Sequence, residues 1–212
     1  MLFRSQYAKT GTAADLVAMK GMTMGFGKQN SGTIGSNRVL LKGLGLDMAK
    51  DFKLMHGGYG PTADALANGQ VAGIGAPSGP PTGAITKLMA SNAAKFTMLT
   101  VTPDEAKKMD GGRNLWVPYT IKAGTYPGQT KDLLTIAQPN FLAVNADVSE
   151  EHVYLLTKAI YENLPFLQAI HKATKAMNVQ AATAGLPVPL HPGAARYYKE
   201  VGVDIPAHLM AK

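Results

Sequence analysis

The sequence predicts an α/β fold built on a largely parallel sheet, and three observations carry the prediction. Residues 22–44 read as a strand, a glycine-containing polar loop and a helix in direct succession. Residues 71–76 (VAGIGA) are apolar throughout, as a strand covered on both faces of a parallel sheet is. Between 22 and 101, apolar strands alternate with short helical patterns across short connections.

Taken in order, Met22-Thr23-Met24-Gly25-Phe26-Gly27 sets apolar side chains among small ones, and Gly25 and Gly27 allow a backbone or ligand to come close. Ser31 or Thr33 is placed to cap the next helix by accepting from a first-turn N–H. Ile34, Val39, Leu40, Leu41 and Leu44 support that helix, and Gly43 and Gly45 stop it. Residues 51–57 (DFKLMHG) read as a second strand, 60–69 as a short helix, 71–76 as a third strand and 77–81 as a proline loop. A helix over 82–91 and a strand over 96–101 (FTMLTV) follow. Residues 103–110 suit a short amphipathic helix ended by Gly111-Gly112. Residues 117–121 are extended, 123–129 turn-rich, and 133–144 an apolar run that Pro139 confines to an edge or a bulge. Ser149 with Glu150 and Glu151 marks a helix start, with Val153, Leu156, Ile160 and Leu164 on one face, and Pro165 bends or ends that helix. Helices are expected over 166–178 and 194–201, separated by the proline-rich segment 185–193. Met1 is followed by a polar segment that starts no visible element.

A chain of 212 residues can bury a sizeable core, in one large domain or two small lobes, and 46% hydrophobic with 17% charged residues fits a globular protein. The balance of 21 Lys+Arg against 14 Asp+Glu gives +7, which favours acidic partners. The basic residues are scattered, in pairs such as Lys107/Lys108, without interleaved aromatics, so nucleic acid is not an expected partner. The chain has no cysteine, which excludes disulfides and thiolate metal sites. Residues 1–7 lack the apolar run and cleavage site of a signal peptide, and no segment reaches about 18 apolar residues, so direct membrane insertion is not expected.

Catalytic apparatus is missing by motif. His56, His152, His171, His191 and His208 show no metal-ligand spacing, and no HExxH or GxSxG occurs; the nearest look-alike to the latter is Ala76-Pro77-Ser78-Gly79-Pro80. No phosphate loop of the GxxxxGK[ST] type occurs, and Asn30 stands where GxGxxG needs its third glycine. A binding protein is therefore expected rather than an enzyme, with no catalytic residue, metal or cofactor. Three loops, 28–33, 57–62 and 75–82, fall at strand ends and are rich in neutral hydrogen-bonding groups; in such sheets ligands sit beyond the carboxyl ends of the strands. Loop 30–33 adds a helix N-terminus, with free N–H groups and the positive end of the dipole, and so is a candidate anion site or simply a helix cap. Tyr59 offers a hydroxyl or packs as a rim tyrosine on its own helix. Ser78-Gly79-Pro80-Pro81 lines a site or forms a turn that preorganises the next helix. Tyr126 and Gln129 have no place fixed by the sequence, and His191, between prolines, is read as structural.

Several stretches taken together resemble the substrate-binding proteins of tripartite (TRAP) transporters of the TAXI type. They are Ala14-Asp15-Leu16, Asn30-Ser31-Gly32-Thr33 and Asp64-Ala65-Leu66-Ala67-Asn68-Gly69-Gln70. Longer and more specific are Ile121-Lys122-Ala123-Gly124-Thr125-Tyr126-Pro127-Gly128-Gln129 and Gly185-Leu186-Pro187-Val188-Pro189-Leu190-His191-Pro192-Gly193-Ala194-Ala195-Arg196-Tyr197-Tyr198. The resemblance covers nearly the whole chain. It implies a type II periplasmic-binding-protein-like, two-lobed α/β fold in which 22–118 form the ligand-binding lobe. Residues 1–21 and 119–212 would be the remainder of the other lobe plus C-terminal helices.

Family members usually begin with an export signal or lipid anchor and most of one lobe, so the resemblance implies one near-complete lobe and one partial, N-terminally truncated lobe. It also implies a periplasmic or otherwise extracytoplasmic location and a small organic anion as ligand, a dicarboxylate or an acidic amino acid such as glutamate. The partner would be a TRAP-type membrane permease. Carried over by residue, Asn30, Ser31, Gly32 and Thr33 would hold a carboxylate through N–H and hydroxyl groups. Pro77, Ser78, Gly79 and Pro80 would line the other side of the cleft, with Tyr59 and Tyr126 as further ligand contacts. The sequence departs from the family pattern at Lys28-Gln29-Asn30 and at Ala76-Pro77-Ser78, both in the expected site. The effector-sensing domain of a transcription regulator, with a similar two-lobed fold, is the alternative.

Overall fold

The computed structural model describes residues 1–170 and 172–211, which fall into two compact units, Met1–Ala137 and Gln138–Lys212. His171, among the histidines surveyed above, lies outside the described residues.

The first unit is organised on a five-stranded sheet of β1 (Leu2–Arg4), β2 (Thr23–Gly25), β3 (Lys53–Met55), β4 (Gly73–Ile74) and β5 (Phe96–Met98), in the order β3-β2-β4-β1-β5. β2 pairs in parallel with β3 on one side and β4 on the other, while β1 runs antiparallel between β4 and β5. The connections carry α1 (Gly32–Gly43), α2 (Met48–Asp51), α3 (Tyr59–Ala67) and α4 (Gly83–Asn92); α5 (Pro103–Asp110) follows the sheet. Helices cover both faces, so the sheet has a core on each side. Phe3, Leu16, Met24, Phe26, Leu41 and Phe52 form one, and Leu2, Leu66, Val71, Ile74, Leu88 and Phe96 the other. Leu2 and Phe3 enter opposite cores because successive strand residues point to opposite faces.

The alternation of strand and helix over 22–101 is present as the sequence predicts, and so are several of its stop signals. Ser31 caps α1 and Gly111 ends α5 at φ 63°, while the capping box of Thr102 and Glu105 on α5 was not read from the sequence. The start of the chain differs. Residues 1–21, read as starting no element and assigned to another lobe, supply β1 in the interior of this sheet and a 3-10 helix, Ala13–Met19, packed beneath it. Three residues carry no readable periodicity, and their partners are Ile74 and Met98, far along the chain. The one-turn helix α2, capped by Asp47, also goes unread. β6 (Val117–Ile121) and β7 (Leu133–Ala137) form an antiparallel pair that ends before Pro139, which therefore interrupts no ladder.

In the second unit, α6 (Glu150–Glu162), α7 (Leu164–Ile170) and α8 (Pro192–Glu200) are the α-helices among the described residues. Pro165 stands in the first turn of α7, which ends well short of 178. The buried side of α6 is Val153 and Thr157 with Tyr154 and Tyr161 alongside, whereas Leu156 is 43% exposed. The apolar spacing thus finds the buried Val153 and the half-buried Ile160 and Leu164 but wrongly adds Leu156, where Thr157 is covered instead. Gly193 decides it: a Cβ there would collide with the Glu150 carbonyl, so a bare backbone lets α8 close against this side of α6. Thr157 is tolerated in that contact because its hydroxyl donates to the Val153 carbonyl at 2.7 Å. His191 is structural: its Nδ1 accepts from the Gly193 N–H and caps α8, which leaves Nε2 to donate to the Val148 carbonyl at 3.0 Å.

Three carboxylates brace the first unit. Burial pushes Asp15, Glu105 and Asp110 up, yet donors at short range outweigh it and hold all three below the usual carboxylate range. Asp15 is held by Thr10 and Gly11, Glu105 by Thr102, Thr12 and Ala14, and Asp110 by the N–H groups of Trp116, Asn114 and Leu115. A depressed folded pKa contributes stability that is fully present above the unfolded value and is lost as pH falls through the folded one. Urea midpoints should therefore hold between pH 7 and about 5 and fall as pH drops below about 4. Asp110→Ala should cost about 1–3 kcal/mol at neutral pH, since it strips a buried carboxylate acceptor from the half-buried N–H groups of Leu115 and Trp116 and the exposed one of Asn114, and should flatten the acid limb.

Candidate functional site

Gly25 lies in register with Met55 of β3 and Ile74 of β4, so the carboxyl ends of three adjacent parallel strands reach one edge together. The loops that leave them are consequently neighbours. From this edge start α1, α3 and α4, with Ser31, Gly58 and Thr82 at their N-caps. These are the three loops singled out from the sequence.

Tyr59 joins all three. Its hydroxyl donates to the Pro77 carbonyl and, its own proton spent, accepts from Thr33 Oγ1 at 3.1 Å. Thr33 therefore has no hydroxyl proton left for a ligand in this arrangement. The same holds for Ser31, whose Oγ donates to the Lys28 carbonyl at 2.7 Å and accepts from the Ile34 N–H at 3.3 Å. What remains at the start of α1 is backbone: the N–H groups of Gly32 and Thr33 have no acceptor among the described residues, as expected for a first helical turn. Asn30 precedes them in the left-handed region, at φ 57°, which asparagine tolerates. Gly27, at φ 118°, leaves room for Thr33 and not for a ligand: a Cβ there would lie 2.8 Å from Thr33 Cγ2.

Ser78 and Gly79 are exposed, and Pro77 and Pro80 half-buried. Ser78 Oγ and Thr82 Oγ1 share a hydrogen bond, and the pair reaches the Ala76 and Gly79 carbonyls at 3.3 and 3.4 Å. Tyr126 is buried, with its hydroxyl accepting from the Thr82 N–H at 3.1 Å, so it supports the 77–82 loop from behind. Gln129 braces the turn that carries Tyr126, accepting from its N–H and donating to the Ile121 and Lys131 carbonyls.

Two features of this edge escape the sequence reading. Asn37, 1% exposed, sits in the buried stripe of α1 beside Ile34 and Leu41, and its amide nitrogen donates to carbonyls of Phe26, Thr33 and Gly75. A polar residue in an apolar helical stripe was the available signal. The second is charge. The three loops hold no carboxylate, and Lys28, with no ion-pair partner among the described residues, reaches toward Gly58. Electrostatically, then, the edge combines helix N-termini with an unneutralised ammonium group. Among the described residues there is no cluster of His, Asp or Glu able to hold a metal. Two concavities lie elsewhere in this unit, one of about 270 Å³ near Tyr7, Thr23 and Gln70, the other of about 200 Å³ between α3 and α4.

Residues 2–202 match the family model described as the NMT1-like family. Among solved structures the chain is similar to a binding protein component of an ABC phosphonate transporter from Pseudomonas aeruginosa, at 15% identity and a TM-score of 0.32. The alignment covers 94% of this chain and 64% of that one, so the chain spans less than two thirds of the matched protein's length.

Tyr59→Phe keeps the ring and deletes the bridge between the loops after β2 and β4. Two hydrogen bonds at about 0.5–1.5 kcal/mol each predict a loss of roughly 1–3 kcal/mol in urea unfolding. A phenylalanine variant as stable as the parent would show that the bridge contributes nothing.

Proposed function

The chain belongs to the NMT1-like family, one of substrate-binding proteins with a periplasmic-binding-protein-like α/β fold rather than enzymes, and from that premise we propose that it captures a small organic anion outside the cytoplasm and delivers it to a membrane transporter. The observation that carries the reading is the edge where three helices begin around loops with no carboxylate, with the Gly32 and Thr33 N–H groups without acceptors among the described residues. Such a surface selects an acceptor-only, negatively charged group.

The finer reading is a TRAP-type permease of the TAXI class as partner and a dicarboxylate or acidic amino acid as ligand. The sequence likeness over 121–129 and 185–198 supports it. In this reading a carboxylate sits on the loop of Asn30, Ser31, Gly32 and Thr33, held by the Gly32 and Thr33 N–H groups, and Lys28 supplies the counter-charge. Pro77, Ser78, Gly79 and Pro80 face it from the loop after β4, Tyr59 fixes the distance between the two loops, and Tyr126 supports the second. No helix of the described residues is long and apolar enough to cross a membrane.

Gly32→Pro is the sharpest test. Proline is favoured at the first helical position, Ser31 before it already has the extended backbone that proline requires, and a Cβ at 32 meets nothing within 4 Å. The substitution thus removes one ligand-facing N–H while leaving the helix intact. A hydrogen bond to a charged group contributes roughly 1.5–3 kcal/mol, so affinity for the best anion should fall about ten- to a hundredfold with the melting temperature unchanged. The measurement is calorimetric titration against succinate, glutarate, L-glutamate, acetate, methylphosphonate and the neutral succinamide. Binding should also weaken as salt rises. Equal affinity for succinate and succinamide would exclude an anion site.

A further inference from the structure

Asn37 is a costly residue to bury. Its neighbours along the inner stripe of α1, Ile34 and Leu41, are apolar, and an amide there is tolerated only if its polar atoms are satisfied. Its nitrogen lies 3.0 Å from the Phe26 carbonyl and 3.1 Å from those of Thr33 and Gly75. Two protons serve three acceptors, so one bond is shared. The bond to Thr33 stays within α1, but those to Phe26 and Gly75 cross to the chain just past β2 and just past β4. Gly75 is matched to this arrangement, because a Cβ there would overlap the Asn37 amide. No other common side chain of this size fits: leucine would leave the carbonyls bare, and aspartate would set acceptors against acceptors.

We propose that the Asn37 amide is a positioning device that sets the spacing of the two ligand-facing loops before a ligand arrives. The proposal rests on the reading of the loop edge as the anion site. Tyr59 holds the loops after β2 and β4 on one side, through Thr33 and Pro77, and Asn37 holds them from within, through Phe26 and Gly75. With both in place, the Gly32 and Thr33 N–H groups and the 77–80 loop form one rigid surface, and binding is spared the cost of ordering it.

Asn37→Ser separates positioning from packing. A serine hydroxyl in a helix can still donate to the carbonyl four residues back, here Thr33, so the bond inside α1 survives while those to Phe26 and Gly75 are lost. Gly75→Ala attacks the same clamp from the other side. In the full chain, exchange of the Ile34, Gly57 and Gly75 amides, followed by NMR, should speed at least about tenfold in either single variant and no further in the double. The Ala72 and Leu99 amides, bonded to Thr23 and Met1 within the sheet, should keep their rates. Unchanged exchange at the loop amides, or an equal rise at Ala72 and Leu99, would overturn the proposal in favour of core packing. Succinate and L-glutamate are the binding probes, and each should bind Asn37→Ser at least about tenfold more weakly than the parent. Equal affinity despite loosened loops would overturn positioning. A parent that binds neither probe, with loops that loosen as described, would refute the anion site while supporting the clamp.

Discussion

The parallel pairing of β2 on both its edges is the constraint on which the rest depends. Once Gly25 stands level with Met55 and Ile74, three strand ends, three loops and three helix starts share one edge, whatever side chains the loops carry. The sequence keeps this centre free of bulk. Gly25 leaves room for Thr62 of α3, Gly73 for the Phe3 ring and Gly75 for the Asn37 amide. Each glycine gives its space to one large or polar neighbour from another element, so the sheet is narrow in residues yet tightly covered.

How much of this was legible depends on the sequence distance over which each feature is specified. The alternation over 22–101 is local, and so are the cap at Ser31 and the stop at Gly111, so they read correctly. The three loops could be found because strand ends and glycine-rich turns mark them. The edge they form is a matter of register, which no single segment encodes. Tyr126 could not be placed because its partner, Thr82, lies in another element, and Leu156 was set on the covered side of α6 because Gly193, not the leucines of α6, decides which side is covered. At the site the missing information was finer still. Ser31 and Thr33 are residues that bind anions in general, and only the directions of their protons show that both hydroxyls are already engaged.

The second unit follows a different logic. Tyr154, Tyr161, Tyr197 and Tyr198 pack as an aromatic cluster between α6 and α8, with ring centroids about 6 Å apart, and ion pairs close over its rim. Arg196 lies 3.8 Å from the Tyr154 ring centre and pairs with Glu150 and Glu151, while Lys158 and the Tyr154 hydroxyl meet Glu200. Oriented rings and charges thus add to an aliphatic core of Leu190, Val203 and Leu209, and Leu155, Phe166 and Ile170 remain exposed.

The antiparallel strand β1 carries a consequence for how the chain reaches this structure. Its residues are made before those they pair with, Gly73, Ile74 and the 96–98 segment, so of the five strands it waits longest for its neighbours. Residues 23–74 can assemble β3-β2-β4 from nearby contacts, but the sheet then ends in an unpaired edge until β1 returns. Closing so long a loop is a slow step in any chain. The unpaired edge of β4 is thus the surface a newly made chain must keep from other strands while it waits.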